Sequence, residues 1–156
     1  MSKSLVAYFS ASGTTADVAK ALAAAADADL FEIRPQTPYT DADLKWTNPL
    51  ARCNREKIGK KDVPIAGTVE NMADYDTVFL GFPIWYYGAP NIIQTFLKGY
   101  DLTGKKLVLF ATSGGSDMGK TAAKLQPYLG AATVFAAKRF DAGADVGTMK
   151  QWLETI

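Results

Sequence analysis

A chain of 156 residues with 48% apolar and 21% charged side chains has the balance of one globular domain, long enough to bury a core of its own. Its 17 basic and 16 acidic residues leave a net charge of +1, which asks for neither nucleic acid nor a membrane surface, and its apolar runs are too short to span a bilayer. With no histidine and one cysteine, Cys53, the chain excludes Ser-His-Asp and Cys-His catalysis, histidine metal sites and an intrachain disulfide.

The segment Met1–Ser4 leads straight into the apolar run Leu5–Phe9, which leaves no room for a secretion signal, so a cytoplasmic chain is expected. Leu5–Phe9 itself reads as a strand covered on both faces. The small polar stretch Ser10–Thr15 follows, then Ala16–Ala26, almost pure helix former. Leu30–Ile33 and Thr77–Phe82 read as the second and third strands. Ile92–Lys98 has apolar residues at helical spacing, and Pro90 suits its first turn. Lys106–Ala111 is the fourth strand, a helix is expected from about Lys120 to Leu129, and Thr133–Ala137 is the fifth strand. The tail Val146–Ile156 predicts a last helix with Trp152 and Leu153 toward the core. Strands alternating with helices imply βαβ units and a parallel sheet covered on both faces. The expectation is a three-layer, doubly wound α/β domain spanning residues 1–156, without repeat or linker.

Arg34–Asp76 is too long for a simple connection. A helix is expected around Asp41–Glu56, capped by Thr40 or Asp41. Lys45, Arg52, Arg55, Lys57, Lys60 and Lys61 make the stretch locally basic. Such a run is either a solvated face or a docking surface for an acidic partner or a phosphate-bearing substrate.

The loops after the first, third and fourth strands carry the chemistry. In the first, Ser10, Ser12, Thr14 and Thr15 surround Gly13 at the start of a helix. Free N–H groups, the positive end of the helix dipole and these hydroxyls form a nest for a phosphate held by neutral donors. The plain alternative is a hydroxyl-rich cap without a ligand. In the second, Pro83, Ile84, Trp85, Tyr86, Tyr87 and Gly88 follow the third strand. Three successive aromatics cannot all enter one core, and a flat ligand would stack on one of them. Alternatively they anchor the core or an interface. In the third, Thr112 and Ser113 precede Gly114 and Gly115, whose backbones a ligand can approach closely. In a sheet of order 2-1-3-4-5 the first two loops face each other across the crevice where strand order reverses.

Ser10-Ala-Ser-Gly-Thr-Thr15, Phe82-Pro-Ile-Trp-Tyr-Tyr-Gly-Ala-Pro90 and Ala111-Thr-Ser-Gly-Gly-Ser116 together resemble the flavodoxin family, whose phosphate loop runs T-x-T-G-x-T. The resemblance covers the whole chain in strand order and loop placement. It implies non-covalent FMN, with Ser10, Ser12, Thr14 and Thr15 on the phosphate and Gly13 shaping the turn. Trp85 or Tyr86 would stack on the ring, with Tyr87 and Gly88 beside its reactive edge, and Gly114 and Gly115 would donate N–H groups to the flavin. The implied role is electron transfer with a redox partner protein or NAD(P)H, as a monomer or weak homodimer, with no side chain acting as catalytic acid or base. Electron-carrier flavodoxins are strongly acidic, whereas this chain is near neutral. That leaves open an NAD(P)H-dependent FMN oxidoreductase acting on a quinone, azo or nitro compound.

A competing motif is Gly114-Gly-Ser-Asp-Met-Gly-Lys-Thr121, which fits the nucleotide P-loop, with Lys120 on phosphates and Thr121 on magnesium. It ranks second. No strand ends in the aspartate a P-loop protein needs for magnesium, Asp141 being a poor candidate, and only 35 residues follow Thr121. It also leaves the first loop and the aromatic run unexplained. A receiver-like module fails for want of acidic residues at strand ends, and no G-x-G-x-x-G supports a dinucleotide site.

Overall fold

The first apolar run forms β1 (Ser4–Tyr8), buried from Leu5 onward. It belongs to a computed structural model that describes residues 3–10, 13–35, 65–69, 71–84, 89, 91–112, 121–129, 132–141 and 143–156. After β1 come α1 (Thr14–Ala26), β2 (Asp29–Glu32) and the short strands β3 (Arg34–Pro35) and β4 (Ile65–Ala66). Then follow β5 (Thr77–Pro83), α2 (Asn91–Lys98), β6 (Lys106–Thr112), α3 (Thr121–Leu125), β7 (Val134–Phe140) and α4 (Val146–Thr155).

The main sheet has five strands in the order β2-β1-β5-β6-β7, every neighbouring pair parallel. With β3 and β4 set aside, this is the 2-1-3-4-5 order expected from the sequence. Successive residues of the central strands turn to opposite faces. Val6, Tyr8, Phe79, Val108 and Phe110 pack with Val18, Leu22, Met149 and Trp152 of α1 and α4. Leu5, Leu80, Phe82 and Leu109 pack with Ile92, Phe96 and Leu125 of α2 and α3 on the other face. Trp152 is buried and Leu153 half-buried against the first of these cores, as their helical spacing predicts. Gly81 has no side chain because the Phe110 ring lies across it: a Cβ there would come within 2.7 Å of Cε1 and closer to two further ring atoms.

The element boundaries differ from the sequence reading in informative ways. β7 runs on through Lys138, Arg139 and Phe140. It lies at the sheet edge, where charged side chains can reach water. Lys138 there sits over the Phe140 ring, and Arg139 pairs with Asp141 at 2.6 Å. The helix expected from Lys120 to Leu129 is α-helical only over Thr121–Leu125, then tightens to a 3-10 turn over Gln126–Tyr128. Pro127 lacks the N–H that would continue the helix, and its ring clashes with the preceding turn. α4 starts where Asp145 caps it, accepting from the Thr148 N–H at 2.9 Å.

Antiparallel pairing of Arg34 with Ala66 and Pro35 with Ile65 closes the base of the long segment after β2. The expected helix Asp41–Glu56 and the basic residues Lys45–Lys61 lie outside the described residues. Among the described residues no helix is long and apolar enough to cross a membrane.

Candidate functional site

Because the sheet is parallel, the carboxyl ends of β1, β5 and β6 meet at one edge, and the chain leaves each strand there into one of the three loops singled out from sequence. Backbone bonds hold the edge together. The Phe9 N–H donates to the Gly81 carbonyl at 2.9 Å, tying β1 to β5. The Ile84 N–H donates to the Thr112 carbonyl at 3.0 Å, tying the chain after β5 to the end of β6. Pro83 and Thr112 are register partners.

At the first loop, Gly13 takes φ +94°, a conformation open to glycine at no steric cost, and serves as the cap residue of α1. Its N–H donates to Ser10 Oγ at 3.0 Å, which folds the loop back on the strand end. The first intrahelical bond runs from the Asp17 N–H to the Gly13 carbonyl at 3.1 Å. The N–H groups of Thr14, Thr15 and Ala16 therefore precede the helix ladder, and no side chain caps them among the described residues. They are three converging donors at the positive end of a 13-residue helix, the donor set a phosphate needs. Gly13 is exposed and Thr14 half-buried.

The helix begins at Thr14, two residues before the Ala16 start expected from sequence. That shift carries Thr15 onto the buried stripe it shares with Val18, Ala19 and Leu22. Its side chain is 1% exposed, and its hydroxyl lies 2.6 Å from that of Thr112, itself 3% exposed. Thr15 is thus on the site through its N–H, while its hydroxyl faces another protein group. Ala16 was missed as a backbone donor because its methyl carries no chemical signal. The Thr15–Val18–Ala19–Leu22 spacing was the available clue.

Of the remaining expected site residues, Pro83 and Ile84 are half-buried at the end of β5, and Ile84 packs against the α2 side of the core. Thr112 closes β6. Ser12, Trp85, Tyr86, Tyr87, Gly88, Ser113, Gly114 and Gly115 lie outside the described residues, as does the P-loop-like run up to Lys120. Thr121, which ends that run, is fully buried at the start of α3. Among the described residues no group of three or more His, Cys, Asp or Glu could hold a metal ion.

Next to the site, the Tyr8 hydroxyl points to Glu32 Oε2 at 3.5 Å. Burial, then the Glu32 charge and its hydrogen bond, push the Tyr8 hydroxyl above the ordinary tyrosine value. Arg34 pairs with Glu32 at 3.1 Å in an exposed contact.

Comparison with known proteins agrees with this fold. The model of the flavodoxin family matches residues 3–156. The crystal structure of a candidate flavoprotein from Bacteroides eggerthii DSM 20697 is 43% identical, with a TM-score of 0.93 over 100% of this chain and 98% of that one. Another, from Bacteroides uniformis ATCC 8492, is 40% identical, with a TM-score of 0.92 over 98% of each chain. A flavoprotein from Lactobacillus acidophilus NCFM, solved in complex with FMN, shares the fold at 23% identity and a TM-score of 0.77, over 98% of this chain and 99% of that one. Comparison with curated proteins gives no match.

Proposed function

The chain belongs to the flavodoxin family, and on that premise we propose that it binds FMN non-covalently at the carboxyl edge of its sheet and carries electrons through it. One observation carries the reading: the first turn of α1 presents the N–H groups of Thr14, Thr15 and Ala16 without a partner among the described residues, beside the ends of β5 and β6. Such a turn suits a single phosphate held by neutral donors. Ser10 and Gly13 shape the turn, and Ser12 and Thr14 lend further hydroxyls. Trp85, Tyr86 and Tyr87 supply faces for ring stacking, and Gly114 and Gly115 supply backbone donors. FMN, when bound, supplies the redox chemistry, and the protein supplies position and electrostatics.

The test begins with the colour of the purified protein. A yellow chromophore released by acid or heat should chromatograph as FMN and not FAD. A colourless protein that stays colourless after incubation with FMN, yet binds ATP with magnesium, would overturn the reading in favour of the P-loop.

The near-neutral charge of +1 favours a second reading on the same site, an oxidoreductase taking hydride from NAD(P)H. The strands β3 and β4 support a role for the basic stretch in either case. They lie just past the carboxyl end of β2, on the edge that carries the site, and flank residues 36–64 in sequence. Lys45–Lys61 would then steer a redox partner protein or an anionic nicotinamide phosphate toward the flavin. The protein would work in the cytoplasm as a monomer or weak homodimer. Stopped-flow bleaching with NADH, NADPH and reductase donors separates the readings: direct bleaching by NADPH marks the enzyme, and bleaching only through a reductase marks the carrier. Neutralising Arg52, Arg55, Lys60 and Lys61 together should slow the productive reaction, less so at high salt, with FMN affinity nearly constant. Equal rates for both proteins would leave the stretch as solvated surface.

A further inference from the structure

Thr112 belongs by sequence to the third candidate ligand loop, and the structure gives its hydroxyl a partner within the protein. It is the last residue of β6, a strand paired on both sides by β5 and β7 and so among the least free to move. Its side chain falls on the same face as Phe110 and meets the first turn of α1, where its hydroxyl and that of Thr15 lie 2.6 Å apart. Its carbonyl accepts the Ile84 N–H at 3.0 Å, at the point where the chain enters the aromatic run. Both hydroxyls are buried, so water cannot readily replace either partner. We propose that Thr112 is a positioning residue that holds the phosphate loop in its binding arrangement, its hydroxyl fixing Thr15 and its carbonyl fixing Ile84.

Fixing Thr15 fixes the direction of the neighbouring Thr14, Thr15 and Ala16 N–H groups, because all belong to one helical turn. The hydroxyl pair therefore acts on the phosphate end of a ligand, while the carbonyl bond, which a side-chain substitution leaves in place, acts on the loop after β5. Thr112→Val keeps the shape and removes only the hydroxyl. A loop that leaves its binding arrangement part of the time lowers apparent affinity in proportion.

The inference rests on the FMN reading, and the experiment keeps the two apart. Affinities for FMN and for riboflavin, which lacks the phosphate, are measured by flavin fluorescence on wild type, Thr112→Val and Thr112→Ser. Wild type that binds neither flavin overturns the FMN reading itself. Given FMN binding by wild type, Thr112→Val should lose roughly three- to tenfold in FMN affinity, the scale of one net hydrogen bond, with riboflavin affinity nearly unchanged. Thr112→Ser should restore FMN affinity. Thr15→Val removes the same bond from the other side and serves if Thr112→Val does not fold. In the double variant the loss should not exceed that of the worse single variant, since the two changes remove one interaction. Unchanged FMN affinity in Thr112→Val, equal losses for FMN and riboflavin, or additive losses in the double variant would each overturn the proposal.

Discussion

Gly81→Ala should destabilise the protein although it adds a single methyl group to a strand. Two effects oppose each other. Alanine restricts the unfolded chain and so favours folding by about 0.4–1 kcal/mol where its backbone fits. Against that, the new Cβ would sit 2.7 Å from Phe110 Cε1 and nearer to two other ring atoms. Phe110 is fully buried among Val6, Phe79, Val108 and Trp152, so the ring has no free volume to swing into. Overpacking of this kind costs about 1–3 kcal/mol, and it wins. The net loss should be about 1–2 kcal/mol, with Tm lower by about 2–4 °C per kcal/mol in a domain of this size. Urea unfolding of the flavin-free protein should show a lower midpoint at unchanged slope, because the surface exposed on unfolding is the same. Phe110→Leu should relieve the clash, so the double variant should lose less than the sum of the single losses. A Gly81→Ala protein as stable as wild type, or strictly additive losses, would refute the close approach as the reason for glycine at this position.

Ser12→Asp should weaken FMN binding by several kcal/mol through like-charge repulsion of a phosphate, while Lys120→Ala should change it little; fluorescence titration of both variants checks this, and the reverse ranking would place the phosphate in the third loop. Trp85→Ala and Tyr86→Ala should weaken binding by about 0.5–1.5 kcal/mol beyond lost area, and at least one should restore flavin emission; unchanged affinity and quenching in both would make these residues structural anchors. The raised Tyr8 value has a definite sign: the unfolded tyrosine ionises near pH 10 while the folded one stays neutral, so its contribution is full below that pH and is lost as pH rises through the folded value. Tyr8→Phe should flatten the alkaline fall of the urea midpoint, and an unchanged alkaline slope would rule Tyr8 out as its source. At the acid end, bonds from the Thr148 N–H and hydroxyl hold Asp145 below the ordinary aspartate range. The stability it brings is present above that range and is lost as pH falls through its folded value, so Asp145→Ala should remove this part of the acid dependence of the same midpoint.

The strands were readable from Leu5–Phe9, Thr77–Phe82 and Lys106–Ala111, because a strand buried on both faces must be apolar at nearly every position, while their order came with the family resemblance. The turn after β1 was readable because a helix start demands particular residues, here Ser10 and Gly13. Charged Lys138 and Arg139 hid the end of β7, since an edge strand need not be apolar, and Pro127 was the overlooked signal for the shortened α3. The β3–β4 pairing was hidden as well, because two-residue strands lack a period to detect. The contact between Thr15 and Thr112 is not legible from either residue's neighbours in sequence. They stand 97 positions apart, and only the packing of α1 onto β6 brings the hydroxyls to 2.6 Å. Gly81 likewise looks like any strand glycine until the parallel register sets the Phe110 ring across it. Local patterns fix which segments become strands and helices, because backbone geometry is repeated residue by residue. Which side chains meet is decided by the crossovers between them, since those alone set which faces oppose and at what height.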